Sequence, residues 1–270
     1  LKKISGLTLL EGLTPHEVSK NDWTEDQPIE GVFEHKDNHA VVITGPNPLD
    51  KEIAFLHKPV YPNNSVYGIF HSDHADSDSA WAASFAKSVV GNGQYPPIEH
   101  VGELRDVEDN LSLHLDQARS VVYYHNEKKK LTQSIVSAML IRVLDFGGEK
   151  FVASANTGKG IAYKVPADIE KGMIEPLFVE AIDNDGEYLD PVIGQDGFGV
   201  VQHSPVNVAS GDSIVMLSGP VKPDVVGGVN IYDQIREAFS EGGDKLEVAA
   251  ILTEKRSKLG QACLAAVIEI

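Results

Sequence analysis

The chain has 270 residues, 42% hydrophobic and 23% charged, which excludes an intrinsically disordered polymer and leaves ample apolar material for a core. Forty acidic residues against 23 basic ones give a formal charge of −17, a surface that repels phosphate backbones and anionic lipid and argues against nucleic acid and membrane as partners. No apolar stretch is long enough to cross a bilayer, and the opening LKKISGLTLLEGL is too polar for a signal peptide, so the expectation is a single soluble, cytoplasmic domain over 1–270.

Residues 1–38 are polar, broken by Pro and Gly, and read as a peripheral N-terminal segment. HAVVITG (39–45) and VYGIFH (66–71) are β-branched and aromatic runs bounded by turn formers, and read as two strands of one sheet. From Ser79 the period changes: Trp81, Phe85 and Val89 recur every four residues with alanines between them, the mark of an amphipathic helix. The residues Asp76 to Ser79 supply side-chain oxygens for its free N–H groups and negative charge for its positive end.

A second helix is expected over 108–127, with Val107, Leu111, Leu115, Ala118 and Val122 along one face, and KKK (128–130) complements the dipole at its end. Beyond it SIVSAMLIRVLDF, the turn GG, KFVASANTG and GIAYKVP read as an antiparallel meander. FGVVQHSPVNV and SIVMLSG follow, joined by ASGD as in a hairpin; then come two helices, IYDQIREAF and KLEVAAILTEKRSK, and a closing strand CLAAVIEI. Cys263, the lone cysteine, sits in that strand as a core thiol. Strands, two helices, strands, two helices and a last strand make an α+β chain.

Taken in order, these segments resemble the metal-dependent Ser/Thr protein phosphatases of type 2C over residues 38–270. VYGIFHSDHADSDSAWAASF stands where that family has a strand ending in F-D-G-H-G-G and then a helix of small residues. QSIVSAMLIRVLDFGGEKFVASANTGKGIAYKV resembles its G-T-T-A and A-N-V-G-D-S-R-A strands; FGVVQHSPVNVASGDSIVMLSGPV resembles the segment ending S-D-G. The closing helix and strand resemble G-S-x-D-N-x-T-V-V-V-V. The resemblance implies a four-layer α-β-β-α sandwich, two antiparallel sheets each covered by a helix pair, with aspartates at one end holding two divalent ions that activate water.

On that alignment the ligand positions lack their carboxylates. His39 stands at or beside the aspartate of N-E-D, with Asp37 two residues before it, and no arginine matches in FEHKD. His71 and Ser72 replace the Asp-Gly pair, and Gly219 replaces the aspartate of S-D-G. Gln261 and Ala262, or Ala262 and Cys263, replace the closing D-N, and Lys159 replaces the aspartate of A-N-V-G-D. The expectation is a catalytically inactive domain, a pseudophosphatase, that needs no cofactor and acts as a regulatory module for a protein partner. The alternative is a phosphoester hydrolase with one divalent metal (Mn, Mg or Zn) on a rebuilt site of Asp37, His39, His71 and Asp73, for which His39 and His71 would have to end adjacent strands. A purely architectural match with an unrelated small-ligand role is the third reading.

Other constellations have plainer explanations. Asp73, His74, Asp76 and Asp78 read as a solvated acidic loop that caps a helix, with His71 ending the strand before it; the alternative is that His71 and these residues hold a metal ion. Asp183, Asp185, Glu187 and Asp190 imitate a calcium loop without its spacing. GFG (197–199) and GGVN (227–230) read as turns. His203, Ser204 and Asp212 have the residue types of a hydrolytic triad but no nucleophile elbow, and turn chemistry accounts for Asp212.

Overall fold

The computed structural model describes residues 14–15, 29–35, 39–45, 53–61, 64–72, 77–98, 100–129, 134–146, 148–178, 193–194, 200–218, 230–258 and 264–270. The chain divides into two compact units, one built from Lys51–Gly160 and Leu177–Val208, the other from Glu11–Asp50, Ile161–Pro176 and Ala209–Ile270.

The first unit carries a five-stranded sheet. Its strands are β4 (Ile53–Tyr61), β5 (Asn64–Ser72), β6 (Val136–Phe146), β7 (Glu149–Thr157) and β10 (Val201–Val208), in the order β10-β7-β6-β5-β4 and antiparallel throughout. The β6–β7 hairpin turns through Gly148, which has φ +107° and whose N–H donates to Asp145 Oδ1 at 2.9 Å. β4 went unread because Lys58 and Pro59 interrupt its pattern. It lies at the sheet edge, where a proline without an N–H is tolerated, and its register shifts between Pro59 and Tyr61.

Two helices, α1 (Ser77–Gly91) and α2 (Leu104–Lys129), pack on one face of this sheet. The five expected core residues of α2, Val107, Leu111, Leu115, Ala118 and Val122, are all fully buried. On α1 the phase differs from expectation by one residue. Ala82, Ala83, Ala86 and Val90 face the sheet with no exposure, while Trp81, Phe85 and Val89 lie half-buried at the flank. Small residues let the helix approach the strands closely, so the large ones are turned sideways: Trp81 stacks on Phe85 at 4.7 Å and on His125 of α2 at 3.9 Å.

The second sheet has the order β1-β2-β3-β12-β11-β8-β9. It comprises β1 (Thr14–Pro15), β2 (Ile29–His35), β3 (His39–Gly45), β8 (Ile161–Val165), β9 (Glu175–Phe178), β11 (Ser213–Leu217) and β12 (Ala265–Glu269). In the second unit α3 (Ile231–Glu241) and α4 (Lys245–Lys258) pack together, with Ile235, Ala238, Val248 and Leu252 buried against Tyr163, Val215 and Val267. Asn230 caps α3: its Oδ1 accepts from the N–H of Tyr232 at 3.0 Å.

Two antiparallel sheets, each with a helix pair, are thus present as expected, but four expectations about pairing are corrected. β3 and β5 belong to different sheets. Residues 29–35 of the segment read as peripheral form β2, paired with β3 along its whole length, because an internal strand needs a neighbour on both sides to satisfy its backbone. β8 leaves the meander to pair with β11, and ASGD closes no hairpin, since β10 pairs with β7 whereas β11 pairs with β8 and β12. Among the described residues no helix is long and apolar enough to cross a membrane.

Candidate functional site

β5 delivers His71 and Ser72 to one end of the first sheet, with His71 opposite Ile53 and Ser137 and Ser72 opposite Val136. Both are buried, 8% and 1% exposed, and His71 lies within the last two residues of the strand it was expected to end. The Ser72 hydroxyl donates to the Ile135 carbonyl at 3.2 Å, tying the end of β5 to the approach to β6.

The turn that follows β7 arrives at the same sheet end. Gly158 and Gly160 have φ of +73° and +135°, a conformation that glycine alone adopts without strain. A β-carbon on Gly160 would lie 2.5 Å from Met139 Sδ. The Ser137 hydroxyl accepts the Lys159 N–H at 2.9 Å and fixes this turn against β6, with the Lys159 side chain half-buried. One strand register further in, His203 Nε2 donates to Asn156 Oδ1 at 2.7 Å, and the His203 ring stacks on Phe178 at 5.3 Å. Burial holds the His203 imidazole below its ordinary pKa of 6.5.

Ser137, Asn156 and His203 were not singled out as a group by sequence reading. SAML and ANTGKG are the segments that hold the first two, but nothing in their spacing announces hydrogen bonds formed between strands.

His39 begins β3, paired with His35 of β2. β3 has β2 and β12 as neighbours, and β5 has β4 and β6, so His39 and His71 do not end adjacent strands. Asp37, Asp73, His74, Asp76, Gly219, Gln261, Ala262 and Cys263 lie outside the described residues, as do the acidic stretch 183–190, GFG, Lys130 and all of GGVN except Asn230. Asp78 falls in the first turn of α1.

Two residues of the triad, His203 and Asp212, are engaged elsewhere. His203 is bonded to Asn156. Asp212, 5% exposed, accepts the Ala209 N–H at 2.9 Å and the Ala167 N–H at 3.2 Å, with Lys164 Nζ at 3.9 Å.

No protein-family model matches the chain, and no curated protein matches it. Solved structures do. PppA, described as a key regulatory component of T6SS in Pseudomonas aeruginosa, superposes with a TM-score of 0.61 at 10% identity, over 86% of this chain and 97% of that one. RsbX, solved in complex with magnesium, gives 0.58 at 11% identity over 89% and 99%. The Mycobacterium tuberculosis serine/threonine phosphatase PstP/Ppp gives 0.54 at 12% identity over 81% and 97%. The fold is that of the type 2C protein phosphatases.

In the type 2C fold a pair of divalent ions is expected near the end of β5, and only part of that position falls among the described residues. Such ions need several anionic oxygens, and the end of β5 and the turn after β7 supply an imidazole, a hydroxyl turned onto a backbone carbonyl, and an ammonium-bearing side chain. Among the described residues no three of His, Cys, Asp and Glu come together.

Proposed function

We propose that this type 2C-fold domain is a pseudophosphatase, a regulatory or protein-binding module that does not hydrolyse phosphoesters. The observation that carries the reading is the end of β5. His71 and Ser72 stand where the resemblance places the bridging carboxylate and its glycine, and the Ser72 hydroxyl is committed to the Ile135 carbonyl. A two-metal hydrolase makes its nucleophile by coordinating water, and among the described residues this strand end carries no carboxylate for it.

The sheets and helix pairs survive beside the exchanged residues because core burial and ligand chemistry are separate requirements. PppA, a regulatory component with this fold, supports the regulatory half of the reading by likeness in fold. A protein partner, rather than nucleic acid or lipid, suits the net charge of −17. A cytoplasmic setting belongs to the same proposal, and a chain with one cysteine requires no oxidising compartment to fold.

The test is hydrolysis of an aryl phosphate by the full chain with added manganese or magnesium, with bound metal determined on the same sample and His71→Ala assayed alongside. Neither turnover nor stoichiometric metal is expected. Metal-dependent turnover lost in His71→Ala would replace this reading with the rebuilt His/Asp site of Asp37, His39, His71 and Asp73.

A further inference from the structure

Among the described residues four large hydrophobic side chains are exposed, and three of them lie on α2: Leu113 at 52%, Val121 at 40% and Tyr124 at 65%. Scattered single residues of this kind are ordinary on a protein surface. These three are not scattered. They sit at i, i+8 and i+11, on one stripe with exposed Gln117, opposite the buried face of Val107, Leu111, Leu115, Ala118 and Val122. A helix that already buries one apolar face against a sheet and carries a second toward water is built to be covered on that side.

The charges at the two ends of the stripe identify what covers it. Exposed Asp106 stands near the N-terminus of α2 and exposed Lys128 near its C-terminus, each where it also suits the helix dipole. The stripe is symmetric about Gln117: Leu113 and Val121 lie four residues to either side of it, and Asp106 and Lys128 eleven. A second α2 laid antiparallel across the first, with the two-fold axis at Gln117, therefore sets Leu113 of each copy against Val121 of the other. It likewise sets Asp106 of each copy against Lys128 of the other. This is the self-complementarity that a two-fold interface demands, and antiparallel helices oppose their dipoles favourably as well.

We infer that α2 is a homodimerisation helix, pairing antiparallel with α2 of a second copy through Leu113, Val121 and Tyr124. The inference deepens the binding-module reading by naming a partner: another copy of this chain. The net charge of −17 on each copy opposes association at long range, but that repulsion is screened over about 8 Å at physiological ionic strength and leaves the helix contact free to form.

Sedimentation equilibrium of the full chain across a wide concentration range tests the proposal. A reversible dimer is expected, with Leu113→Lys and Val121→Lys together raising its dissociation constant at least tenfold, roughly the effect of losing a central interface anchor. Because both positions face solvent in one copy, the thermal melt of the variant should match the parent's at concentrations low enough that the parent is monomeric. Asp106→Lys alone and Lys128→Asp alone should each weaken the dimer, and the two combined should restore it, since the swapped charges again oppose one another.

A monomer at every concentration, a dimer indifferent to the stripe variants, or a double swap that stays folded but fails to restore pairing would each overturn the inference. So would a monomer that takes up a different protein on this stripe. Phosphatase turnover would refute the non-catalytic reading and leave the dimer standing, whereas a monomeric chain without turnover would do the reverse.

Discussion

The Arg142 guanidinium, fully buried on β6, donates through Nη2 to the Pro96 carbonyl at 2.7 Å. Its Nε and Nη1 have no hydrogen-bond partner among the described residues. In the same row of the sheet, two strands away across Val66, Lys58 donates to the carbonyls of Gly91 and Gly93 at 2.8 and 2.6 Å. Tyr95 lies beneath this ammonium, 4.9 Å from ring centre to Nζ, and its hydroxyl donates to the Val90 carbonyl at 3.0 Å. Two cations thus hold the C-terminal end of α1 and the following loop by its carbonyls, where positive charge also answers the helix dipole. Burial draws Arg142 down to about 10 and puts Lys58 below its usual range.

This arrangement predicts an unusual response to Arg142→Met. The guanidinium pays for desolvation and recovers one hydrogen bond, so an apolar side chain of similar length should leave global stability unchanged or raise it by about 1 kcal/mol. Amides of residues 92–95 and 98 should exchange faster, because the Pro96 carbonyl has lost its donor. Urea titration and amide exchange on the same variant check both halves. A loss above about 2 kcal/mol would mean that the bond to Pro96 outweighs the cost of burying the charge.

What the sequence showed and what it hid divide along one line. The buried face of α2 was legible in full, since five residues at helical spacing need only local information. The existence of β3, β5, β6, β7, β8, β10, β11 and β12 was legible for the same reason. Their partners were not: alternation says that a strand has two faces and nothing about which strand lies beside it, so β8 and β11 were placed with the wrong neighbours. α1 was read with its large residues inward because hydrophobicity was counted without the closeness of packing, which favours alanine at the sheet. At the candidate site His71 and Ser72 were found through motif resemblance. The Ser137–Lys159 and Asn156–His203 bonds were not, because each joins residues whose proximity exists only after the strands pair.

Asp212 illustrates a residue whose chemistry is structural. Its two carboxylate oxygens each accept a backbone N–H, from Ala209 and Ala167, and so join the turn before β11 to the end of β8. Asp212→Ala should cost about 3 kcal/mol, the range for a buried charge-assisted acceptor whose donors are left unsatisfied. Asp212→Asn should cost less, about 1 kcal/mol, because one amide oxygen keeps one of the two bonds. Denaturant midpoints with an unchanged slope would establish this order. Equal costs for the two variants would show that the negative charge, and not the acceptor geometry, holds the turn.

His203 makes the first unit sensitive to acid. Its folded-state pKa is depressed below 6.5 by burial, so above that pH the imidazole is neutral both folded and unfolded and contributes no pH dependence. As pH falls below 6.5 the unfolded chain takes up the proton more readily than the folded one, so stability must decline, and the decline ends once pH has dropped below the folded pKa. His203→Gln retains an amide N–H that can donate to Asn156 Oδ1 and removes the titration. The variant should therefore lose the part of the decline in melting temperature between pH 7 and pH 5 that His203 supplies. An unchanged decline in the variant would assign the acid sensitivity to other groups and would place the His203 ring in an environment no drier than solvent.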